Sequence, residues 1–295
     1  MQRSLLTAFV LLLSCQAVSA QEFFPLWDKG TMPNSRGLTL EDTIQNERIQ
    51  QVGIPGIYAF FPSSQENTGA AVLICPGGGY GHLAYVISGT QLAKWFNSMG
   101  VSAFVLKYRL PTSPDVKERH LAPLQDAQRA MWLIRSKGDA WGIKPDRIGV
   151  LGTSSGGHLA ALLATSAPGP ATNFMILISP VITMGEYAHR GSRTRLLGDN
   201  PPARLIEQYS PEKQVTSMTP PAFVVHAADD KVVDVRNSLM FYEALMDKKV
   251  SASLHVFPHG GHAIALRNNP GSTETWTRLC EMWLVEMGFV QRLKQ

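Results

Sequence analysis

Ile148-Gly149-Val150-Leu151-Gly152-Thr153-Ser154-Ser155-Gly156-Gly157-His158-Leu159-Ala160-Ala161-Leu162-Leu163-Ala164 is the stretch on which the reading of this chain turns. It is apolar and β-type up to Gly152, and helical just after Ser154. Gly152-x-Ser154-x-Gly156 sits at the junction. That spacing suits a tight strand-to-helix turn that lifts a serine hydroxyl off the top of a sheet. Small residues two before and two after the serine leave room for the turn to pack. The helix that follows aims its first N–H groups at the same point, which favours a developing oxyanion. Ordinary Gly/Ser turns also match so short a pattern. The strand and helix patterns on either side favour the catalytic reading here.

Working outward, the same alternation recurs. Ile57–Phe61 reads as a strand ended by Pro62. Ala70–Cys75 is a continuous apolar run, the mark of a strand buried on both faces. Residues 88–98 read as a helix closed by Gly100, and Val101–Leu106 as the next buried strand. Helical spacing returns at 123–137, closed by Gly138. Phe174–Ile178, Ala222–His226 and Ser253–Phe257 read as further strands, Val235–Met246 and Trp276–Met287 as helices. Strands alternating with helices imply right-handed crossovers, an α/β class and a mostly parallel central sheet flanked by helices. Residues 183–220 break the rhythm and read as an inserted cap or lid. Residues 21–50 are polar with scattered Pro and Gly, and are expected to wrap the surface without regular structure.

A serine hydroxyl needs a base to take its proton, and the base needs a carboxylate to orient it. Candidates for both lie downstream of Ser154. Asp229 and Asp230 follow the strand 222–226, and His259 and His262 follow the strand 253–257. Both loops lie at carboxyl ends of strands, where open α/β sheets place their sites. His255, His259 and His262 superficially resemble a metal-ligand cluster, but a strand position and a Pro/Gly loop do not bring them together, so no metal is expected. His158, on the helix after Ser154, reads as structural. Gly77-Gly78-Gly79 after a buried strand lets backbone N–H groups approach a substrate, with the N–H of Ser155 beside them.

The chain has 295 residues, 44% of them hydrophobic, enough for one large core. Its 27 basic and 23 acidic residues are dispersed, and no basic block or aromatic-basic stripe suggests nucleic acid as a partner. The first 20 residues read as a secretory signal: Arg3, an apolar run from Leu5 to Leu13, and Val18-Ser19-Ala20 before the cut. Lipoprotein processing at Cys15 is the alternative; bulky Leu13 argues against it. Export to the periplasm or beyond follows on either reading, and no other stretch is long enough to span a membrane. The domain is then expected over 21–295. Cys75 and Cys280 read as buried thiols; a bridge between them is not decided by sequence.

With these residues assembled, the chain resembles the α/β-hydrolase superfamily, and within it the secreted bacterial acetylxylan/feruloyl esterase-like carbohydrate esterases, related to hormone-sensitive-lipase-type esterases. The resemblance rests on Cys75-Pro76-Gly77-Gly78-Gly79-Tyr80, Tyr108-Arg109-Leu110, Pro123 to Ala130, Gly152 to Ala160, His226 to Val233 and Gly261-His262. It selects Asp230 as the acid and His262 as the base for Ser154. It implies an oxyanion hole from Gly78, Gly79 and Ser155, a structural role for Asp126, and no cofactor. The implied substrate is a small-molecule or oligo- or polysaccharide ester, acetylxylan-type above all. Feruloyl esterase, short-chain lipase or esterase and peptidase activities are the alternatives, followed by a non-catalytic binding protein on the same scaffold. Pro76 stands where the lipase-type group has histidine, and Ser155 where alanine is common, which loosens the placement within the superfamily.

Overall fold

The computed structural model describes residues 21–166, 172–262 and 264–291. The signal-peptide reading of 1–20 and the alternative at Cys15 lie outside them. Among the described residues, the main sheet has eight strands in the order β1-β4-β6-β5-β7-β8-β9-β10. They are β1 (Glu22–Pro25), β4 (Gly56–Phe60), β5 (Ala71–Cys75), β6 (Ser102–Lys107), β7 (Ile148–Thr153), β8 (Phe174–Ile178), β9 (Ala222–Ala227) and β10 (Ala252–Phe257). From β6 through β10 all pairs are parallel. Only β4 and β1 run antiparallel, at one edge. The mostly parallel sheet expected from the sequence is therefore present, with strand ends displaced by about a residue.

Both faces of the sheet are covered. Along β5, Ala71, Leu73 and Cys75 pack into one core, while Val72 and Ile74 pack into the other. A period of two with both sets buried is why this strand reads as unbroken apolar sequence. The first face is closed by α2 (Ala122–Ser136), α3 (Ser155–Thr165) and α6 (Arg236–Asp247), the second by α1 (Gln91–Ser98) and α7 (Trp276–Glu286). Leu159, Leu162 and Leu163 of α3 are each almost fully buried, a contribution of about 2 kcal/mol apiece. A π-type turn, Val86–Thr90, leads into α1, so the helix expected from 88 begins irregularly.

After β5 the chain moves to one side to form β6, then crosses back to form β7 against the other side of β5. The loops leaving β5 and β7 therefore diverge from adjacent strands and frame a crevice at their carboxyl ends. Gly77-Gly78-Gly79 leaves β5 there, and Ser154 leaves β7.

The expectation for residues 21–50 is corrected. They supply β1 on the sheet edge and a separate antiparallel hairpin, β2 (Thr43–Gln45) and β3 (Arg48–Gln51). Asn46 and Glu47 make its turn with φ of 49° and 60°, in the left-handed region. Ile49 and Leu83 exchange backbone hydrogen bonds of 3.0 and 2.9 Å, docking the hairpin beside the glycine loop. Between β8 and β9, residues 183–220 hold α4 (Arg190–Leu197) and α5 (Ala203–Gln208). Cys75 and Cys280 are both buried and unpaired. Among the described residues, no helix is long and apolar enough to cross a membrane.

Candidate active site

Ser154 caps α3 with φ 56° and ψ −122°, backbone angles that L residues rarely adopt. Such strain costs about 1–3 kcal/mol and persists only where surrounding structure enforces it. Here Ser154 N–H donates to Ile178 O at 3.0 Å, and Ser154 O accepts from Val181 at 3.0 Å and His158 at 3.1 Å. The flanking glycines are a steric demand. A Cβ on Gly152 would lie 2.1 Å from Gly156 O, and one on Gly156 would lie 2.0 Å from Cys75 O. The spacing read in the sequence thus reports how closely β5, β7 and α3 approach one another.

Three of the expected residues meet in one line. His262 Nε2 is 2.9 Å from Ser154 Oγ, and His262 Nδ1 is 2.8 Å from Asp230 Oδ2. The carboxylate can only accept, so it places the ring proton on Nδ1 and leaves Nε2 to accept from the serine. Ser154 is 6% exposed, while the His262 side chain keeps 21%. Asp230 is enclosed. Burial pushes its carboxyl up, but hydrogen bonds from His226 and His262 and from the Val233 and Val232 N–H groups outweigh this and hold it well below the usual carboxylate range.

His226 is a participant that the sequence reading did not single out. Its Nε2 faces two acceptors, Asp230 Oδ2 at 3.2 Å and Val233 O at 3.0 Å, so it carries the proton. Its Nδ1 accepts from Ser238 Oγ at 2.7 Å. Its signal was a histidine inside an apolar strand buried on both faces, which needs a partner on each nitrogen. Asp229 also has more to do than an exposed turn carboxylate. It accepts from Gly261 N–H at 2.8 Å, pinning the loop that carries His262, and stands 3.6 Å from the exposed His259. His255 is bonded to Ser253 within β10. The three histidines of the considered metal cluster thus face different partners.

The glycine loop faces the serine. Gly77 N–H is taken by Ser88 Oγ at 3.0 Å. Among the described residues, the N–H groups of Gly78 and Gly79 have no hydrogen-bond partner. Gly78 has φ 129°, and a Cβ there would lie 2.1 Å from His82 O. Ser155 ties the two halves together, its Oγ accepting from Tyr80 N–H at 3.3 Å. Beneath them lies His158, whose Nδ1 accepts from Tyr80 Oη and whose Nε2 donates to Tyr209 O, both at 2.8 Å. Burial pulls the His158 imidazole down to about 4, which the bond to Tyr209 O offsets only in part. Its expected structural role has a definite content: it joins the glycine loop to the segment after α5. Asp126 is likewise enclosed, paired with Arg109 at 2.8 Å and bonded to Trp27 Nε1 and Arg109 N–H. It clamps the end of β6 to α2 beside the site.

Ser154 and His262 open into a cavity of about 670 Å³. Ile87, Leu92, Ile264 and Leu266 line it in part. Asn46, Glu47 and Arg48 reach it from the β2–β3 turn, His189 and Arg195 from the segment before and within α4. Burial first, then the neighbouring charges of His262 and Arg195, hold His189 below its ordinary value. Of the basic side chains at the start of and within α4, Arg195 and His189 line the cavity; Arg190 and Arg193 are not among its lining residues.

A mostly parallel sheet covered on both faces, with a serine raised on the strained turn after a central strand, is the architecture of an α/β-hydrolase. The chain belongs to the prolyl oligopeptidase family, whose model matches residues 123–287. A BD-FAE domain model matches residues 57–173. An acetylxylan esterase of Xylanibacter ruminicola is 33% identical over 227 residues, 75% of this chain and 45% of that protein. Endo-1,4-beta-xylanase B of Butyrivibrio fibrisolvens is 33% identical over 228 residues, 73% of this chain and 35% of that one. The chain therefore spans less than half the length of these two relatives. Among solved structures, an acetyl ester-xyloside bifunctional hydrolase from Caldicellulosiruptor lactoaceticus is 36% identical, with a TM-score of 0.78 over 91% of this chain and 97% of that one.

Proposed function

We propose that this chain is an exported serine esterase that removes acetyl groups from acetylated polysaccharide of the xylan type. The observation that carries the chemistry is the hydrogen-bonded line Ser154–His262–Asp230 facing two unpartnered backbone N–H groups across one cavity. Ser154 Oγ attacks the ester carbonyl while His262 Nε2 takes its proton. Asp230 holds the imidazole and stabilises its charged form. The oxyanion is held by the N–H groups of Gly78, Gly79 and Ser155. His262 then protonates the leaving alcohol, and afterwards takes a proton from the water that releases acetate and frees Ser154. No step calls for a cofactor. Residues 183–220 act as a lid over the crevice. The substrate class is supported by the similarity to an acetylxylan esterase and an acetyl ester-xyloside hydrolase. Export is supported by the residues of the first 20 positions.

The test is a substrate panel with wild type and Ser154→Ala: p-nitrophenyl acetate, acetylated xylo-oligosaccharides, feruloyl and long-chain esters, and aminoacyl amides. Wild type is expected to release acetate from the xylo-oligosaccharides fastest, and Ser154→Ala to remain folded and inactive. Turnover retained by Ser154→Ala overturns the mechanism; faster cleavage of amides supports a peptidase instead. For export, a mature N-terminus at Gln21 is expected in protein recovered outside the cytoplasm. An intact Met1 overturns that part.

A further inference from the structure

The esterase reading leaves unexplained why two arginines from remote segments line the same cavity. Arg48 lies at the start of β3, next to Ile49, whose backbone bonds to Leu83 fix the hairpin in place. Arg195 lies on α4, and its Nη1 donates to Gly79 O at 3.1 Å. Both line the cavity that holds Ser154 and His262. Among the described residues, no carboxylate lies within ion-pair distance of either guanidinium. Arg48 makes no side-chain hydrogen bond there, and Arg195 makes only the one to Gly79. Glu47 lines the same cavity without pairing with either. His82 lines the same cavity, and burial first, then the charges of Arg48 and Arg195, hold it below its ordinary value.

Two like charges lining one cavity, neither of them in an ion pair, favour the entry of an anion. Guanidinium presents a planar fork that fits a carboxylate, and neutral sugar hydroxyls do not require it. We propose that Arg48 and Arg195 form a subsite for a carboxylate carried by the substrate, so that the preferred esters belong to acidic rather than neutral saccharides. This deepens the esterase reading and rests on it. The carboxylate has two possible sources, a uronic acid near the acetylated sugar or a dicarboxylic acyl group, and both present the same chemistry to the two arginines.

The experiment measures kcat/KM of wild type, Arg48→Gln, Arg195→Gln and Arg48→Glu. One arm compares acetylated xylo-oligosaccharides bearing glucuronic acid with their neutral counterparts. The other compares p-nitrophenyl hemisuccinate with p-nitrophenyl acetate. The readout is the acidic-to-neutral ratio, because loss of the Gly79 bond in Arg195→Gln affects both substrates alike. Wild type is expected to favour the acidic member of one pair, and the arm that shows it identifies the source. Each glutamine variant is expected to lower that ratio about tenfold, and Arg48→Glu to push it below one. The preference should shrink as salt is added. A wild-type ratio of one in both arms, with p-nitrophenyl acetate still hydrolysed, overturns the subsite and leaves the esterase reading standing. No hydrolysis of any ester overturns both.

Discussion

Replacing His158 with Gln should remove a specific part of the acid sensitivity of this fold. The imidazole is fully enclosed, accepting from Tyr80 Oη and donating to Tyr209 O. Accepting from Tyr80 requires an unprotonated Nδ1, and burial lowers the pKa of the ring from 6.5 to about 4 despite the donor bond to Tyr209 O. Between those values the unfolded chain binds a proton that the native chain refuses. The stability from this site is therefore fully present above about pH 6.5 and is lost as the pH falls towards 4. At about 1.4 kcal/mol for each pH unit, the loss comes to about 3 kcal/mol, a large share of the 5–15 kcal/mol typical of a native protein. The assay is equilibrium urea unfolding of wild type and His158→Gln at several pH values, read by tryptophan fluorescence. His158→Gln should be the less stable at pH 7, because one or both tyrosine groups lose a partner. The gap between the two proteins should then narrow by most of that amount down to about pH 4.5. A gap independent of pH would refute the argument, since it would mean that the ring is not held neutral by its surroundings.

Other substitutions probe the supports of the site. His226→Ala leaves Asp230 Oδ2 with His262 alone and Ser238 Oγ without its acceptor. We expect kcat to fall about tenfold with little change in KM, measured on p-nitrophenyl acetate, because the acid that orients His262 is less firmly held. Asp126→Ala strands the buried Arg109 guanidinium. It should cost about 3–5 kcal/mol by urea titration, as expected when one partner of a buried pair is removed. Gly156→Ala places a Cβ against Cys75 O at 2.0 Å. A drop in stability of about 1–3 kcal/mol, with loss of activity from a displaced Ser154, should be visible by thermal melting and turnover.

The local features were legible because their causes are local. The apolar runs of β5, β7, β8 and β9 are buried on both faces, and that requirement is written into every residue of the strand. Gly152 and Gly156 are read correctly for the same reason: the clash each avoids is with backbone only a few residues or one strand away. The loops carrying Asp230 and His262 follow strands, and the sheet places strand ends at the crevice. The choice between Asp229 and Asp230 was different. Resemblance selected Asp230, and geometry gives each a distinct place: Asp230 faces His262, and Asp229 holds the loop through Gly261.

The chain by itself determined the layered architecture and the serine turn, since hydrophobic period and steric exclusion act residue by residue. It did not determine the walls of the cavity. β2 is exposed at all three positions, so it carries no apolar alternation to separate it from a polar loop. Its hairpin is placed by two backbone hydrogen bonds between Ile49 and Leu83 and by one buried side chain, Ile49, too little to mark a strand in the sequence. Only the folded chain brings Arg48 and Arg195 to one cavity, and only it turns His226 towards Asp230. These are contacts between segments far apart in the chain, set by how the sheet twists and the loops pack.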